Sequence, residues 1–156
     1  MAPTQVRLGA AIDEVVAAAA GKCDAARGSG QLLDGVEAVV RGKHARSRPA
    51  LPYLWVVVSA ASAQHARALH ETWTAALMLS AFVRSEDPED GWMEAMVLAA
   101  HARSVVLADR QLGLPYVEDV QSASLEAIGQ RPQGRQFGAF ARVDVRFALV
   151  EPTTEE

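Results

Sequence analysis

The most distinctive cluster of charged side chains in this sequence is basic. Five basic or potentially basic residues crowd into one segment of a chain whose formal net charge is -4: Arg41, Lys43, His44, Arg46 and Arg48. Clustered cations suit a phosphate backbone or an acidic protein surface, and Arg131 with Arg135 in another loop can extend the patch. No aromatic residues interleave with the segment, which argues against stacking on single-stranded bases. We predict that residues 41–48 face DNA or a protein partner; a solvated loop with no partner is the competing interpretation.

Two histidines are the other candidates for chemistry. His65, His70 and Glu71 together could bind a metal ion, but the histidines are five residues apart and no second ligand cluster supports them. We therefore expect exposed histidines and predict neither a metal nor a cofactor. His101 lies off the apolar stripe of its helix and is expected at the surface.

Four carboxylates bunch together just before the second long helix: Glu86, Asp87, Glu89 and Asp90. Clustered oxygens are what hard cations prefer. A helix start explains them as well, since Asp87 can cap, Pro88 suits the first turn and acidic residues complement the helix dipole. We favour the helix start.

Sequence motifs of catalysis are missing from this chain. It contains no Gly-x-Ser-x-Gly elbow, phosphate loop or dinucleotide fingerprint, and Gly28-Ser29-Gly30 is short and follows a helix rather than a strand. The single cysteine, Cys23, excludes an internal disulfide framework and is expected to pack as a small hydrophobe. We predict that the protein is not an enzyme.

Size and composition indicate one soluble domain. The chain has 156 residues, a pI near 5.6 and only 6% aromatic residues, so a general nucleic-acid binder is disfavoured. No apolar run approaches the roughly 18–20 residues of a membrane span, and no signal peptide is visible, so we expect synthesis and solubility in a cytoplasm. We predict one domain over residues 1–150 and a flexible tail over 151–156.

The first half of the chain reads as one helix followed by strands. Apolar spacing predicts a helix from Thr4 to about Arg27. Residues 35–41 fit a short strand or a final helical turn, and their alternating Val residues favour the strand. A basic loop over 42–49 then leads into a strand from Leu51 to Ala61. Alternation along this strand puts Tyr53, Trp55 and Val57 on one face and these residues on the other: Leu54, Val56 and Val58.

The remaining elements are a long strand, a helix and two further strands. Alternation from Leu69 to Arg84 favours a strand over a helix. A helix then runs from Pro88 to about Gln111, where Gly113 is placed for a left-handed cap. Two strands close the domain, at about Val117 to Gly129 and Phe137 to Val150, joined by a loop over 130–136. Seven apolar residues of the second strand alternate onto one face, which predicts that they point inward: Phe137, Ala139, Ala141, Val143, Val145, Phe147 and Leu149.

This order of elements predicts the fold class. Consecutive strands with short connections favour antiparallel pairing, with the helices together on one side. We predict an α+β domain: an antiparallel (mixed) sheet of about four to five strands with two helices packed on one face.

Three segments of the chain together form a familiar layout: Arg48-Pro-Ala-Leu-Pro-Tyr-Leu-Trp55-Val-Val-Val, Trp73 to Arg84 with Ser-Glu-Asp-Pro-Glu-Asp-Gly91 leading into an Ala-rich helix, and Asp109-Arg-Gln-Leu-Gly-Leu114 before two strands. This layout resembles the tail-terminator (tail completion) proteins of long-tailed bacteriophages. The likeness covers about residues 31–150 and is one of element order rather than of a single diagnostic motif.

The resemblance implies a structural role in a virus particle. It implies a homohexameric ring that caps the tail tube and joins it to the head-side connector, with the tail tube protein, the connector protein and other copies of itself as partners. Location in the tail or neck of the virion, after assembly in the host cytoplasm, follows from the same likeness. The basic loop with Arg41, Lys43, Arg46 and Arg48 would line the channel through which DNA passes, or grip an acidic connector.

Three other interpretations stay open from the sequence. Another head–tail connector or neck subunit has similar size and class. A small binding module could use the basic loop for nucleic acid or a protein partner. An enzyme using His65, His70 and Glu71 would need a bound metal.

Overall fold

A computed structural model describes residues 4–41, 50–67, 70–131 and 135–150 of the chain. It contains two helices and five strands in this order: α1 (Thr4–Ala25), β1 (Ala38–Arg41), β2 (Tyr53–Arg67), β3 (His70–Arg84), α2 (Pro88–Leu107), β4 (Val117–Arg131) and β5 (Gln136–Val150). The predicted α+β class is confirmed. The predicted tail over 151–156 lies outside the described residues.

The five strands form one mixed sheet in the order β1-β2-β3-β5-β4. Neighbouring strands are antiparallel except β1 and β2, which are parallel and pair from Ala38 with Tyr53 to Arg41 with Val56. The expectation of antiparallel pairing between consecutive strands was wrong for this pair. The connection between the two strands, residues 42–52, is close in length to the dozen or so residues that a crossover between parallel strands needs.

Two element ends differ most from the sequence prediction. Strand β2 continues to Arg67, beyond the predicted end at Ala61. Helix α2 ends at Leu107 rather than near Gln111, so Gly113, with φ of 71°, belongs to the following turn and not to the helix cap. The chain turns early because Leu112, also at positive φ, inserts into the core and is almost fully buried.

Both helices pack on the same face of the sheet, as predicted. The alternation of β5 is confirmed, because all seven of its predicted inward residues are buried: Phe137, Ala139, Ala141, Val143, Val145, Phe147 and Leu149. Beside them, Leu77 and Leu79 of β3 and Leu54 and Val56 of β2 face the same helices and are fully buried.

Small residues bring α2 close to the sheet. Its buried residues are Gly91, Ala95, Ala99, Ala102 and Val106. Gly91 lies directly over the side chain of Phe137, and any β-carbon at this position would overlap the aromatic ring. The helix therefore sits at a distance from β5 that only a glycine at this point permits.

Polar contacts join the first helix to the turns that follow the second. Lys22 Nζ lies 2.9 Å from Asp109 Oδ2, and the hydroxyl of Tyr116 donates to the carboxylate of Glu14. Burial, reinforced by that carboxylate, raises the pKa of Tyr116. No helix in the described part of the chain is long and apolar enough to cross a membrane.

Candidate interaction surfaces

The predicted basic loop is described only at its first residue. Arg41 ends β1 and is exposed, whereas Lys43, His44, Arg46 and Arg48 lie outside the described residues. Arg131 ends β4, so the strand order puts it on the opposite edge of the sheet from Arg41. Arg135 forms an ion pair with Glu86. Its guanidinium is thus already engaged with an acid, and a joint patch with the loop stays a prediction.

The predicted alternatives involving metal ions receive no structural support in the described residues. Those residues hold no group of three or more His, Cys, Asp or Glu placed to bind an ion. The side chains of His65 and His70 lie outside this description, and the Glu71 carboxylate accepts a hydrogen bond from Trp73 Nε1 at 3.1 Å.

The carboxylates before α2 act as the start of that helix. Asp87 is its N-cap, and Asp87 Oδ1 accepts a hydrogen bond from the Glu89 backbone N–H at 3.0 Å. Glu86 pairs with Arg135, while Glu89 and Asp90 lie exposed in the first turn. The predicted capping role is confirmed.

The lone cysteine and His101 have ordinary packing roles. Cys23 is fully buried, and burial raises the pKa of its thiol to about 12, so it stays protonated and unreactive in the folded protein. His101 is half-buried beside a shallow groove with these residues: Ala26, Gly30, Gln31, Leu32 and Val105.

The sheet face opposite the helices carries aromatic and apolar residues. Those on its central strands are Tyr53, Trp55, Val57, Met78, Phe82 and Phe140. Tyr53 and Phe82 stack with centroids 5.0 Å apart, and the Phe82 ring lies against Gly138, its partner on β5. We call this surface the open face. Alternation in β2 indicated two apolar faces, but only the helix arrangement reveals which one the described part of the chain leaves uncovered.

Charges at the β5 side of the open face are paired with one another. Arg142 Nε donates to Asp144 Oδ1 at 3.0 Å, and Arg146 Nε lies 3.1 Å from Glu118 Oε1. The open face thus presents an aromatic centre bordered by neutralised ion pairs. That combination resembles a protein–protein contact more than a phosphate-binding surface.

Both edges of the sheet are partly unpaired among the described residues. Strand β4 pairs only with β5, and β1 covers β2 only from Tyr53 to Val56. The outer side of β2 from Val57 to Arg67 therefore has no described strand beside it. Unpaired strand edges present rows of backbone donors and acceptors that pair readily with another chain.

A second apolar area lies on the helix layer. The most exposed large hydrophobic side chains of the described residues are Met93 and Val97 on α2, at 65% and 42%, and Leu32 in the loop after α1, at 49%. Met93 and Val97 are one helical turn apart and share a face of α2. Single exposed apolar residues are common, so this area carries less weight than the sheet edges.

No protein-family model matches the chain, and no curated protein shows significant sequence similarity to it.

Proposed function

We propose that this chain is a structural protein of a virus particle, the tail terminator of a long-tailed bacteriophage. Copies of the chain form a ring of six that caps the tail tube and joins it to the head-side connector. The protein belongs to the tail or neck of the virion and assembles in the host cytoplasm. The copy number and the partners rest on the resemblance in element order described above.

The observation that supports self-assembly is the pair of unpaired sheet edges on one small domain. A subunit with a different open edge on each side can contact the next copy head to tail, and such a contact closes into a ring when the rotation between copies is right. A closed ring offers one surface to a tube and another to a connector, which suits a protein that stops tube growth.

The segment from residue 41 to residue 48 contributes a positive charge to this assembly. On a ring it would line the channel for DNA or hold an acidic connector. We expect the replacement of Arg41, Lys43, Arg46 and Arg48 by Ser to impair head–tail joining or DNA passage without unfolding the subunit. A normal yield of infectious particles from that variant would contradict a role of the loop in head–tail joining or DNA passage.

A second candidate is a nucleic-acid-binding module, and the aromatic open face is the observation that favours it. Tyr53, Trp55 and Phe140 lie on an uncovered sheet face, the kind of platform on which unpaired bases stack. The ion pairs of Arg142 and Arg146 weaken this alternative, since they neutralise the nearest cations. Binding to oligonucleotides that falls steeply between low and moderate salt would support it.

Electron microscopy of the purified protein tests the leading proposal. We expect ring-shaped particles with a central opening, and we expect them to persist as salt is raised. Another head–tail connector subunit would also form rings, and the two are separated by asking whether the rings bind the end of purified tail tubes. Compact particles with no opening at every protein concentration would contradict the proposal.

A further inference from the structure

We propose that neighbouring copies join through their sheets, with the β4 edge of one copy antiparallel to the uncovered part of β2 in the next. This inference rests on the proposed function for the existence of the ring. It adds the surface through which the ring is built.

The directions of the two edges suit this contact. β2 and β5 run the same way, because each is antiparallel to β3, and β4 runs opposite to β5. Strand β4 of one copy is therefore antiparallel to β2 of an equally oriented neighbour. Antiparallel strands exchange backbone hydrogen bonds with good geometry, so the contact would satisfy donors and acceptors that are otherwise left to water.

The two edges also match in height across the sheet. Strand pairing places Ala60 of β2 opposite Ala76 of β3, Ala76 opposite Asp144 of β5, and Asp144 opposite Gln121 of β4. Ala60 and Gln121 are therefore level with each other on the two edges. Two residues further along, Ser62 is connected in the same way to Asp119 through Thr74 and Arg146. Copies in a closed ring stand at equal height along its axis, so edges that meet are level with each other when the strands run along that axis.

Irregularities leave a short regular run in each of the two strands. β2 departs from regular pairing between Val58 and Ala60 and between Ala63 and His65, which leaves a regular run over 60–63. β4 departs between Val117 and Asp119 and between Ser122 and Ser124, which leaves a regular run over 119–122. Three consecutive positions of the two runs are level with each other: Ala60 with Gln121, Ala61 with Val120 and Ser62 with Asp119.

Side chains along the β2 run permit a close approach. Ser59, Ala60, Ser62 and Ala63 are small and exposed, and no charged residue occurs from 57 to 63. Natural proteins usually protect a free edge with charged residues or proline, and this part of β2 has neither.

An acidic residue disfavours the pairing of β4 with itself. Glu126 is exposed on β4, and a two-fold contact centred near it would bring the acids of both copies together. An uncharged β2 edge avoids that repulsion. Within one copy, β2 and β4 are separated by β3 and β5, or about 14 Å at the usual strand spacing, so they cannot pair with each other.

Cysteine cross-linking tests the contact directly. The variant carrying both Ala60→Cys and Gln121→Cys places one thiol on each edge, while the natural Cys23 is buried and does not compete. Oxidation, or treatment with a short thiol-to-thiol linker that tolerates a shift of one residue, should give a ladder of covalent oligomers that ends at a closed ring. Each single variant should stay uncrosslinked, as should the matched control Ala60→Cys with Ser104→Cys, whose second thiol is exposed on α2.

The other outcomes separate this inference from the proposed function. A dimer from Gln121→Cys alone, or from Ala60→Cys alone, would replace the head-to-tail contact by a two-fold one and overturn the inference. Rings in the microscope without a cross-linked ladder would overturn the inference and leave the proposed function standing. A monomer at all concentrations, with no ladder, would overturn both.

Discussion

At the scale of single residues, Gly91 sets how closely α2 approaches the sheet. Alanine is preferred over glycine inside a helix by about 1 kcal/mol, so helix propensity alone predicts that Gly91→Ala stabilises the protein. The overlap of the new methyl group with the Phe137 ring reverses this expectation. We expect the free energy of unfolding to fall by about 1–3 kcal/mol, the usual cost of overpacking, as measured by urea denaturation.

A matched control for this substitution is available on α1. Gly21 is an exposed helix residue with open space around the position of a β-carbon, so Gly21→Ala should leave stability unchanged or raise it by up to about 1 kcal/mol. Adding Phe137→Leu to Gly91→Ala should recover part of the loss. Equal stabilisation by the two alanine substitutions would show that α2 does not approach β5 as closely as described.

At the scale of elements, the start of α2 depends on Asp87. Replacement by Ala removes the oxygen that accepts the Glu89 N–H, and we expect a loss of about 1 kcal/mol in unfolding free energy. Asp87→Ser retains a capping oxygen and should lose much less. Thermal or urea unfolding of the two variants measures the difference, and equal losses would mean that the cap is not what stabilises this helix.

Two ion pairs that connect elements should make stability depend on acid. The hydrogen bond from Lys22 lowers the pKa of Asp109, and the hydrogen bond from Arg110 lowers the pKa of Asp119. A carboxyl whose pKa is lower in the folded state stabilises the fold above its ordinary pKa, and this contribution is lost as pH falls through the folded value. We therefore expect the unfolding free energy to decline below about pH 4, the ordinary range of an aspartate.

Substitutions assign this acid sensitivity to the two carboxyls. We measure the unfolding free energy by urea denaturation at a series of pH values, from pH 5 down to the lowest pH at which the protein is still folded. In the double variant Asp109→Asn with Asp119→Asn this free energy should decline less steeply with falling pH. Glu94→Gln, an exposed acid on α2, serves as the control and should follow the natural protein. A decline unchanged in the double variant would place the acid-sensitive groups elsewhere.

Elements with strong local signals could be predicted from the sequence, and those that depend on distant partners could not. The capped start of α2 at Asp87 and the seven-residue alternation in β5 are local patterns, and both are confirmed. The parallel pairing of β1 escaped prediction because it depends on which strand a four-residue segment meets in space. Strand β2 was predicted too short, because Ser62 and the residues after it lack an apolar alternation.

The candidate surfaces also combine features that a local sequence pattern predicts with features that depend on distant parts of the chain. Alternation in β2 assigned Tyr53 and Trp55 to one face and Leu54 and Val56 to the other, and the second pair is the buried one. That the first face stays uncovered depends on where the helices pack, which no short window of sequence reveals. The unpaired edges are likewise a property of the strand order and not of any one strand.

At the scale of the whole molecule, charge on a sheet edge should prevent assembly without unfolding the subunit. Ala60→Lys places a solvated cation where the next copy would lie, and desolvating that charge opposes strand pairing. We expect monomers by size-exclusion chromatography with light scattering, and an unchanged far-UV circular dichroism spectrum. Ser104→Lys adds the same charge on the exposed side of α2 and should assemble normally.

Native mass spectrometry of the unmodified chain over a range of concentrations tests the self-assembly of this subunit most directly. If different open edges meet head to tail, one closed oligomer of fixed copy number should dominate as concentration rises, with six as the number the resemblance implies. A 16.6 kDa species that persists at every concentration, or an open series without a preferred size, would contradict it.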